Sequence, residues 1–143
     1  VYRINMSTKI RANIPVAKIT KEYERSLARS RMMVKSEIAK DCDPNMPKKS
    51  GALIKSVFAS IRANDPFLVW NKIYAKFLYY GKVMIGVMSR SPWAKKYEKK
   101  FATNKNLNFS KGANAGAGSN WFERTKARNI DKWLRIYAKG AKR

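Results

Sequence analysis

The hydrophobic positions of the chain change their period close to the N-terminus. Apolar and polar residues alternate over residues 1–6, which predicts a short strand. Beyond Pro15 the apolar positions step by threes and fours, so we predict a long helix that Asn13 caps and that ends near Lys40. A stripe this narrow is typical of a helix that packs on a sheet or on a neighbouring subunit. The stripe skips at Ser30 and consists of Val16, Ile19, Tyr23, Leu27, Val34 and Ile38, while the remaining surface carries Lys18, Lys21, Arg25, Arg29, Arg31 and Lys35.

Short elements separated by turns are predicted for the middle of the chain. Residues 56–62 and 67–70 flank the turn ANDP and indicate a hairpin. Residues 82–88, KVMIGVM, indicate a further strand. A short helix is then predicted to start at Ser91 and Pro92, with one apolar face formed by Trp93, Tyr97 and Phe101.

The stretch NKIYAKFLYYG, residues 71–81, is rich in aromatic residues. The helical spacing of Ile73, Phe77 and Tyr80 predicts a short helix that ends at Gly81. We expect its aromatic face, with Tyr74, to be buried against the sheet. The residues left for the surface are candidates for a subunit contact: Lys72, Lys76 and Tyr79.

A loop and a second long helix are predicted for the C-terminal part. Residues 102–120 are rich in Asn, Gly, Ser and Ala, and we predict a loop that is mobile in the free protein. An amphipathic helix begins near Trp121, where Asn120 and Glu123 suit a capping box. Its apolar side consists of Phe122, Ile130, Trp133, Leu134 and Tyr137. We therefore predict a single domain over residues 1–143 of class α+β, with a small antiparallel sheet packed with a long N-terminal helix and a C-terminal amphipathic helix.

Composition adds a strong positive charge to this picture. The 143 residues include 32 Lys and Arg against 9 Asp and Glu, a formal net charge of +23. Self-repulsion at this density destabilises a compact monomer, so we expect an anionic neighbour, such as nucleic acid, an acidic protein surface or lipid headgroups. No apolar run approaches the roughly 20 residues that span a bilayer, and the N-terminus is not typical of a signal peptide. The single cysteine, Cys42, forms no internal disulfide, which fits a reducing cytoplasm.

Candidate catalytic chemistry is sparse. Histidine is absent, which excludes Ser-His-Asp and Cys-His nucleophile systems and zinc sites with histidine ligands. The acids are scattered, and a helix end that runs into an Asp-Pro turn explains the pair Asp41 and Asp43 better than a metal site does. The segment GANAGAGSN resembles a phosphate cradle before a helix, but it lacks the Gly-Lys-Ser/Thr of a nucleotide-binding loop, so a plain flexible loop is favoured. We predict no enzymatic activity, no metal and no cofactor.

Three segments, in this order, resemble a family of phage proteins. KSGALIKSV is similar to a Pro-x-x-Thr/Ser-Gly-x-Leu-x-x-Ser pattern, VWNKIYAKFLYYG to a strand followed by Asn-x-x-Tyr-Ala, an aromatic residue and Gly, and GAGSNWFERTKARNIDKWL to a glycine-rich loop and a helix with two Trp. The matching residues are Pro47, Ser50, Gly51, Leu53 and Ser56; Asn71, Tyr74, Ala75, Tyr80 and Gly81; and Trp121, Lys126 and Trp133. The family is that of the minor capsid, or tail-completion, proteins at the head–tail junction of tailed bacteriophages. Ser50 stands where Thr is commoner, and the stretch before the third segment is longer than in the family pattern.

The resemblance covers residues 45–137 and implies a structural virion protein without catalysis. It implies an α+β neck protein, made in the host bacterial cytoplasm, that assembles as a homo-oligomeric ring with six copies favoured. Its implied partners are portal-side connector or stopper proteins, tail terminator or tube proteins and, by non-specific contact in the ring lumen, genomic DNA; no membrane is involved. The alternative from the residues alone is a cytoplasmic protein that binds nucleic acid independently of sequence, motivated by the charge of +23 and the mixture of basic and aromatic residues. No zinc finger, basic zipper or ribonucleoprotein signature accompanies that charge.

Overall fold

Two long helices dominate residues 16–142, the part of the chain that the computed structural model describes. Helix α1 covers Val16–Cys42 and helix α5 covers Trp121–Ala141, so the predicted end of α1 near Lys40 and the predicted start of α5 near Trp121 are confirmed. A 3-10 turn, Asp43–Asn45, follows α1. The shorter elements are the helices α2 (Ala52–Lys55), α3 (Phe58–Arg62) and α4 (Ala75–Tyr80) and the strands β1 (Lys82–Gly86) and β2 (Lys100–Asn106). The predicted α+β class is confirmed; the strand predicted at residues 1–6, the predicted cap Asn13 and the first-turn residue Pro15 lie outside the described residues.

Helices α1 and α5 pack against each other through small residues. The hydroxyl of Ser26 donates to the backbone carbonyl oxygen of Ala141 at 2.7 Å, and the hydroxyl of Ser30 donates to the backbone carbonyl oxygen of Tyr137. A Cβ atom on Gly140 would lie 2.9 Å from the Cα atom of Ser30, so only glycine lets the two backbones approach this closely. Ser30, the skip in the predicted apolar stripe, is therefore the point where the helices meet.

The predicted stripe of α1 is correct only in part. Tyr23 is 49% exposed, because the contact with α5 follows the serines instead. Lys35 was predicted on the surface but is 4% exposed: its ammonium donates to the carbonyl oxygens of Ala63 and Asp65, at 3.0 and 3.1 Å. The Phe67 N–H and the Lys35 ammonium together lower the pKa of the Asp65 carboxyl, so this buried lysine holds the turn after α3. The side chains of Val16, Lys18 and Ile19 lie outside the described residues.

A polar link joins the other end of α1 to α5. The ammonium of Lys132 lies 2.7 Å from the Asp41 carboxylate and 2.9 Å from that of Glu37. The indole N–H of Trp133 donates to Asp41 at 2.8 Å, so this carboxylate accepts from two residues of α5. The hydrogen bond to Asp41 is the main cause that raises the pKa of Lys132. Asp41 therefore has a structural role at the helix end, as the sequence indicated.

Residues 56–70 do not form the predicted hairpin. Residues 58–62 belong to α3, and residues 67–70 extend beside it without forming a strand. The N–H of Val69 donates to the hydroxyl of Ser60 at 3.0 Å, so a side chain holds the extended segment in place of a backbone ladder. The run FLVW has the composition of a strand, but its tryptophan packs on the core cluster described below.

The small antiparallel sheet consists of β1 and β2. Its register places Ile85 opposite Phe101, and β1 contacts α4. Strand β2 covers residues that were predicted as loop and takes Phe101 out of the helix predicted from Ser91; both predictions were wrong there. Arg90 and Tyr97 have φ angles of 54° and 68°, which an α-helix does not allow. Residues 87–99, which we call the hairpin tip, instead connect the two strands.

Candidate functional site

The three segments that carry the phage resemblance meet in one core cluster. Leu53 from the first segment and Trp121 from the third belong to it, and Ala75 from the second packs against it. The other members are Cys42, Met46 and Ile54, with Ile38, Trp70, Leu78, Tyr79 and Phe122 packed around them. The motifs therefore describe one packing unit, even though they are far apart in the sequence.

Trp121 is the centre of this unit. Its ring makes edge contacts with Tyr79, with centroids 4.8 Å apart, and with Trp70, with centroids 6.1 Å apart. The indole N–H of Trp121 is buried and has no hydrogen-bond partner among the described residues, so packing and ring contacts hold it. Trp133, the second tryptophan of the same motif, is also buried and stacks on Phe122, with centroids 6.0 Å apart.

The aromatic stretch before Gly81 faces the core with different residues from those predicted. Ile73 is 95% exposed and Tyr80 is 59% exposed, so the prediction that they are buried is wrong, as it is for the exposed Tyr74. Helix α4 begins only at Ala75, and its inward face is formed by Ala75, Leu78 and Tyr79. Tyr79, which we had left for the surface, packs inward, and burial is the main cause that raises its pKa.

Gly81 ends α4 as predicted, in a left-handed conformation with φ of 66°. A Cβ atom there would lie 2.8 Å from the Cβ of Ser119, so a side chain would push the glycine-rich segment away. The carbonyl oxygen of Tyr79 accepts the N–H of Asn120, and that of Gly81 accepts the N–H of Leu107, both at 2.8 Å. These two hydrogen bonds hold the end of α4 against Leu107 and Asn120, which lie on either side of the glycine-rich segment before α5.

The glycine-rich segment is fastened a second time by Arg124. Its guanidinium donates to the carbonyl oxygens of Ser119 at 2.9 Å, Gly116 at 3.1 Å and Asn45 at 3.0 Å. Because Arg124 occupies these carbonyl oxygens, the glycine-rich segment has a structural role. The segment does not resemble a phosphate cradle. The predicted capping box is wrong, because Asn120 has φ of 50° and makes no side-chain cap. The mobility that we expected for residues 102–120 stays a prediction for residues 107–120.

The first motif lines an open cavity of about 370 Å³. Gly51 turns the chain there with φ of 77°, and the side chain of Ser50 accepts the N–H of Ala52 at 3.4 Å. Basic residues stand at its edge, and the lining includes Pro47, Lys48, Lys49, Ser50, Gly51, Leu53 and Tyr74. Asn71, from the second motif, is exposed and lies before α4. The sequence motif identified these residues but did not indicate that they border a cavity.

Groups with chemical reactivity are rare in the described residues. Burial raises the pKa of the Cys42 thiol to about 11, so this cysteine is protonated and inert at neutral pH. Residues 16–142 contain no group of three or more acids and cysteines placed to hold a metal ion. None of the helices in this part of the chain is both long and apolar enough to cross a membrane.

The hairpin tip is the feature that sequence reasoning missed. Met88 is 88% exposed, Trp93 is 91% exposed and Tyr97 is 90% exposed, whereas we predicted both aromatic residues on one apolar face of a helix. Their i, i+4 spacing imitates helical periodicity. The signal that was available is charge, because the tip has four basic residues and one acid.

Comparison with known proteins agrees with the motifs that meet at Trp121. A family model described as minor capsid protein matches residues 8–141, almost the whole chain. The searches of curated proteins and of solved structures gave no match. Because the family model spans far more than half of the sequence, the chain belongs to the minor capsid protein family, whose members are structural proteins of bacteriophage virions.

Proposed function

We propose that this minor capsid protein is a component of the head–tail junction, or neck, of a tailed bacteriophage. Copies of the chain form a ring, with six the number that the resemblance favours, and the ring joins the portal-side connector to the tail. The observation that carries the proposal is the convergence of the three neck-type motifs on Trp121, supported by the family match over residues 8–141.

The best-supported subunit contact is the outer side of α4 and of the turn before it. Ile73 and Tyr80 are large apolar side chains in water, and Lys72 and Lys76 stand exposed beside them. Exposed apolar side chains of this size favour association with a surface that buries them. Tyr79 packs inward, so Tyr80 takes its place in the proposed contact.

The positive charge suits a ring on the path of the genome. A net charge of +23 on each copy makes neighbouring copies repel each other. Phosphates of genomic DNA in the lumen, or acidic surfaces of connector and tail proteins, would screen that repulsion at short range. The proposed partners are therefore anionic on the surfaces that meet this protein.

Gene deletion tests the position in the virion. We expect a phage that lacks the protein to produce filled heads and separate tails, which electron microscopy of the lysate distinguishes directly. Complementation in trans should restore joined particles. Normal tailed particles in the deletion strain would rule out a role at the junction.

A point substitution tests the subunit contact. Ile73→Glu places a charge on the proposed contact, and we expect it to abolish rings of the purified protein in light-scattering measurements. Leu134→Glu is the control, because Leu134 is also an exposed apolar residue, 60% exposed, but lies on α5. Equal assembly of wild type and Ile73→Glu would exclude this face.

Sequence-independent nucleic-acid binding remains the second candidate function, favoured by the exposed basic and aromatic residues of the hairpin tip. As the main function, it requires tight, strongly salt-dependent binding by the isolated monomer. A deletion strain that assembles normal particles, together with such binding, would favour this candidate over the neck.

A further inference from the structure

The hairpin tip has the features of a binding surface. Trp93 and Tyr97 are each at least 90% exposed, and none of the residues from 16 to 142 covers them. Tyr97 carries a cation on its ring, since the Lys96 ammonium lies 5.0 Å from the ring centroid. Aromatic rings of this size are seldom left fully in water without a partner, because an exposed ring does not contribute the stabilisation that its burial would give.

The tip is held in a defined shape. The Glu98 carboxylate accepts the N–H groups of Met88 at 2.8 Å, Ser89 at 2.6 Å and Lys95 at 3.0 Å, so one side chain fastens both ends of the connection. The Lys100 ammonium donates to the carbonyl oxygen of Pro92 at 2.6 Å. A loop fixed in this way presents its aromatic side chains with less ordering entropy left to lose on binding.

The charge of the tip selects an anionic partner. Its one acid, Glu98, is directed to backbone N–H groups, and among the described residues it forms no ion pair with the cations of the tip. The cations are Arg90, Lys95, Lys96 and Lys99. A second copy of this chain, at +23, does not offer the opposite charge. The tip therefore suits a partner of another kind.

The lysine content of the tip favours nucleic acid over protein as the anionic partner. Protein interfaces are depleted in lysine and enriched in arginine, whereas three of the four cations here are lysines. Lysines beside exposed aromatic rings are the combination that binds single-stranded nucleic acid, in which phosphates pair with cations and bases stack on rings. Every base has a π-face, so this contact requires no sequence motif.

We propose that the hairpin tip binds unpaired nucleic acid, with its lysines on the phosphates and with Trp93 and Tyr97 stacked on bases. This narrows the second candidate function, sequence-independent nucleic-acid binding, to unpaired strands held by a surface that lies apart from α4, and it does not depend on the proposed ring. It also differs from charge-driven contact with duplex DNA, in which the bases are not available for stacking.

Binding by the full-length protein tests the proposal. Fluorescence anisotropy would compare a labelled oligothymidylate with an abasic oligonucleotide of the same length at several salt concentrations. We expect the oligothymidylate to bind about five-fold or more tightly, the contribution of one stacked base or more, and both affinities to fall with salt. Equal affinity for the two ligands at every salt concentration would overturn the stacking contact.

Substitutions in the tip locate the effect. Trp93→Ala with Tyr97→Ala should remove the preference for oligothymidylate and leave the abasic affinity unchanged, because the cations remain. Phe67→Ala is the matched control: Phe67 is 65% exposed but lies outside the tip, and the preference should persist. A preference that survives the double substitution would place the contact elsewhere.

A competing anion distinguishes a protein partner. Polyglutamate with the same number of charges should displace oligothymidylate less well than unlabelled oligothymidylate does. If polyglutamate competes equally, the tip is a site for acidic protein and the proposal fails. These measurements need no ring or virion, so they are independent of the deletion phenotype that tests the neck.

Discussion

The helical half of the molecule, formed by α1, α5 and the cluster around Trp121, contrasts with the hairpin formed by β1, the tip and β2. In the helical half, Trp121 is 1% exposed and Trp133 is 3% exposed, while Trp93 in the tip is 91% exposed. In the helical half, the side chain of Lys35 holds the turn after α3 and that of Arg124 holds the glycine-rich segment. The same residue types thus stabilise the fold in one half and are exposed in the other.

A matched pair of tryptophan substitutions gives the largest expected difference between the halves. Trp121→Ala removes the ring that Tyr79 and Trp70 contact, and we expect a loss of about 3–5 kcal/mol in the free energy of unfolding. Trp93→Ala removes an equally large but exposed ring, and we expect it to change the free energy of unfolding by less than about 0.5 kcal/mol. Urea denaturation followed by circular dichroism measures both.

That comparison has a clear contrary outcome. If Trp93→Ala destabilises the isolated protein as much as Trp121→Ala does, the tip belongs to the core and the two halves are not distinct. Circular dichroism of the native state serves as the control, because both variants should retain the helices α1 and α5 if the transition starts from a folded protein.

The contrast also explains which elements sequence patterns predicted. Helices α1 and α5 are long, so their periodicity extends over several turns, and the predicted end of α1 and start of α5 were nearly correct. The part of the hairpin tip from Ser91 onward was predicted as a helix because Pro92 and the aromatic residues Trp93, Tyr97 and Phe101 at four-residue spacing imitate one. The Glu98 contacts that hold the tip cannot be read from periodicity, since they join a carboxylate to backbone N–H groups up to ten residues away.

Helix α4 shows a different limit of the same reasoning. Its existence and its end at Gly81 were correct, but its face was wrong because the helix starts at Ala75, after Ile73 and Tyr74. Five of the six residues of this short helix are aromatic or apolar, so spacing alone does not choose the buried face. The motif residues nevertheless identified the cluster, because Leu53, Ala75 and Trp121 all pack there.

A glycine substitution sharpens the contrast at the contact between α1 and α5. Gly140→Ala would place a methyl group 2.9 Å from the Cα of Ser30 and 3.1 Å from the sulfur of Met33. We expect a loss of about 1–3 kcal/mol in the free energy of unfolding, although alanine is favoured over glycine in a helix by about 1 kcal/mol. Chemical denaturation decides the sign.

The matched control for that substitution is Gly112→Ala. A Cβ atom at Gly112 would meet nothing within 4 Å, so stability should be unchanged or slightly raised. If Gly140→Ala is stabilising, helix propensity outweighs the close approach, and α1 and α5 adjust to the methyl group more easily than the structure indicates.

The smallest expected effect concerns the order of the hairpin tip. The stability of the whole molecule is expected to stay unchanged. The backbone N–H of Ser89 is the main cause that lowers the pKa of Glu98 to about 2, well below the usual 4.5 of a glutamate. Because this folded-state pKa is depressed, the contacts of Glu98 are fully present above pH 4.5 and are lost as the pH falls through about 2.

Glu98→Gln removes the negative charge while it keeps the size of the side chain, so it reproduces the acidic state at neutral pH. We expect faster amide hydrogen exchange at Met88, Ser89 and Lys95, the three N–H groups that the carboxylate accepts, and an unchanged unfolding transition. Exchange in α5 is the internal control, since no part of that helix contacts the tip carboxylate. Unchanged exchange in the tip would mean that a neutral side chain holds it equally well. A shifted global unfolding transition would mean that the hairpin and the helical half unfold as one unit, and the contrast between them would then fail.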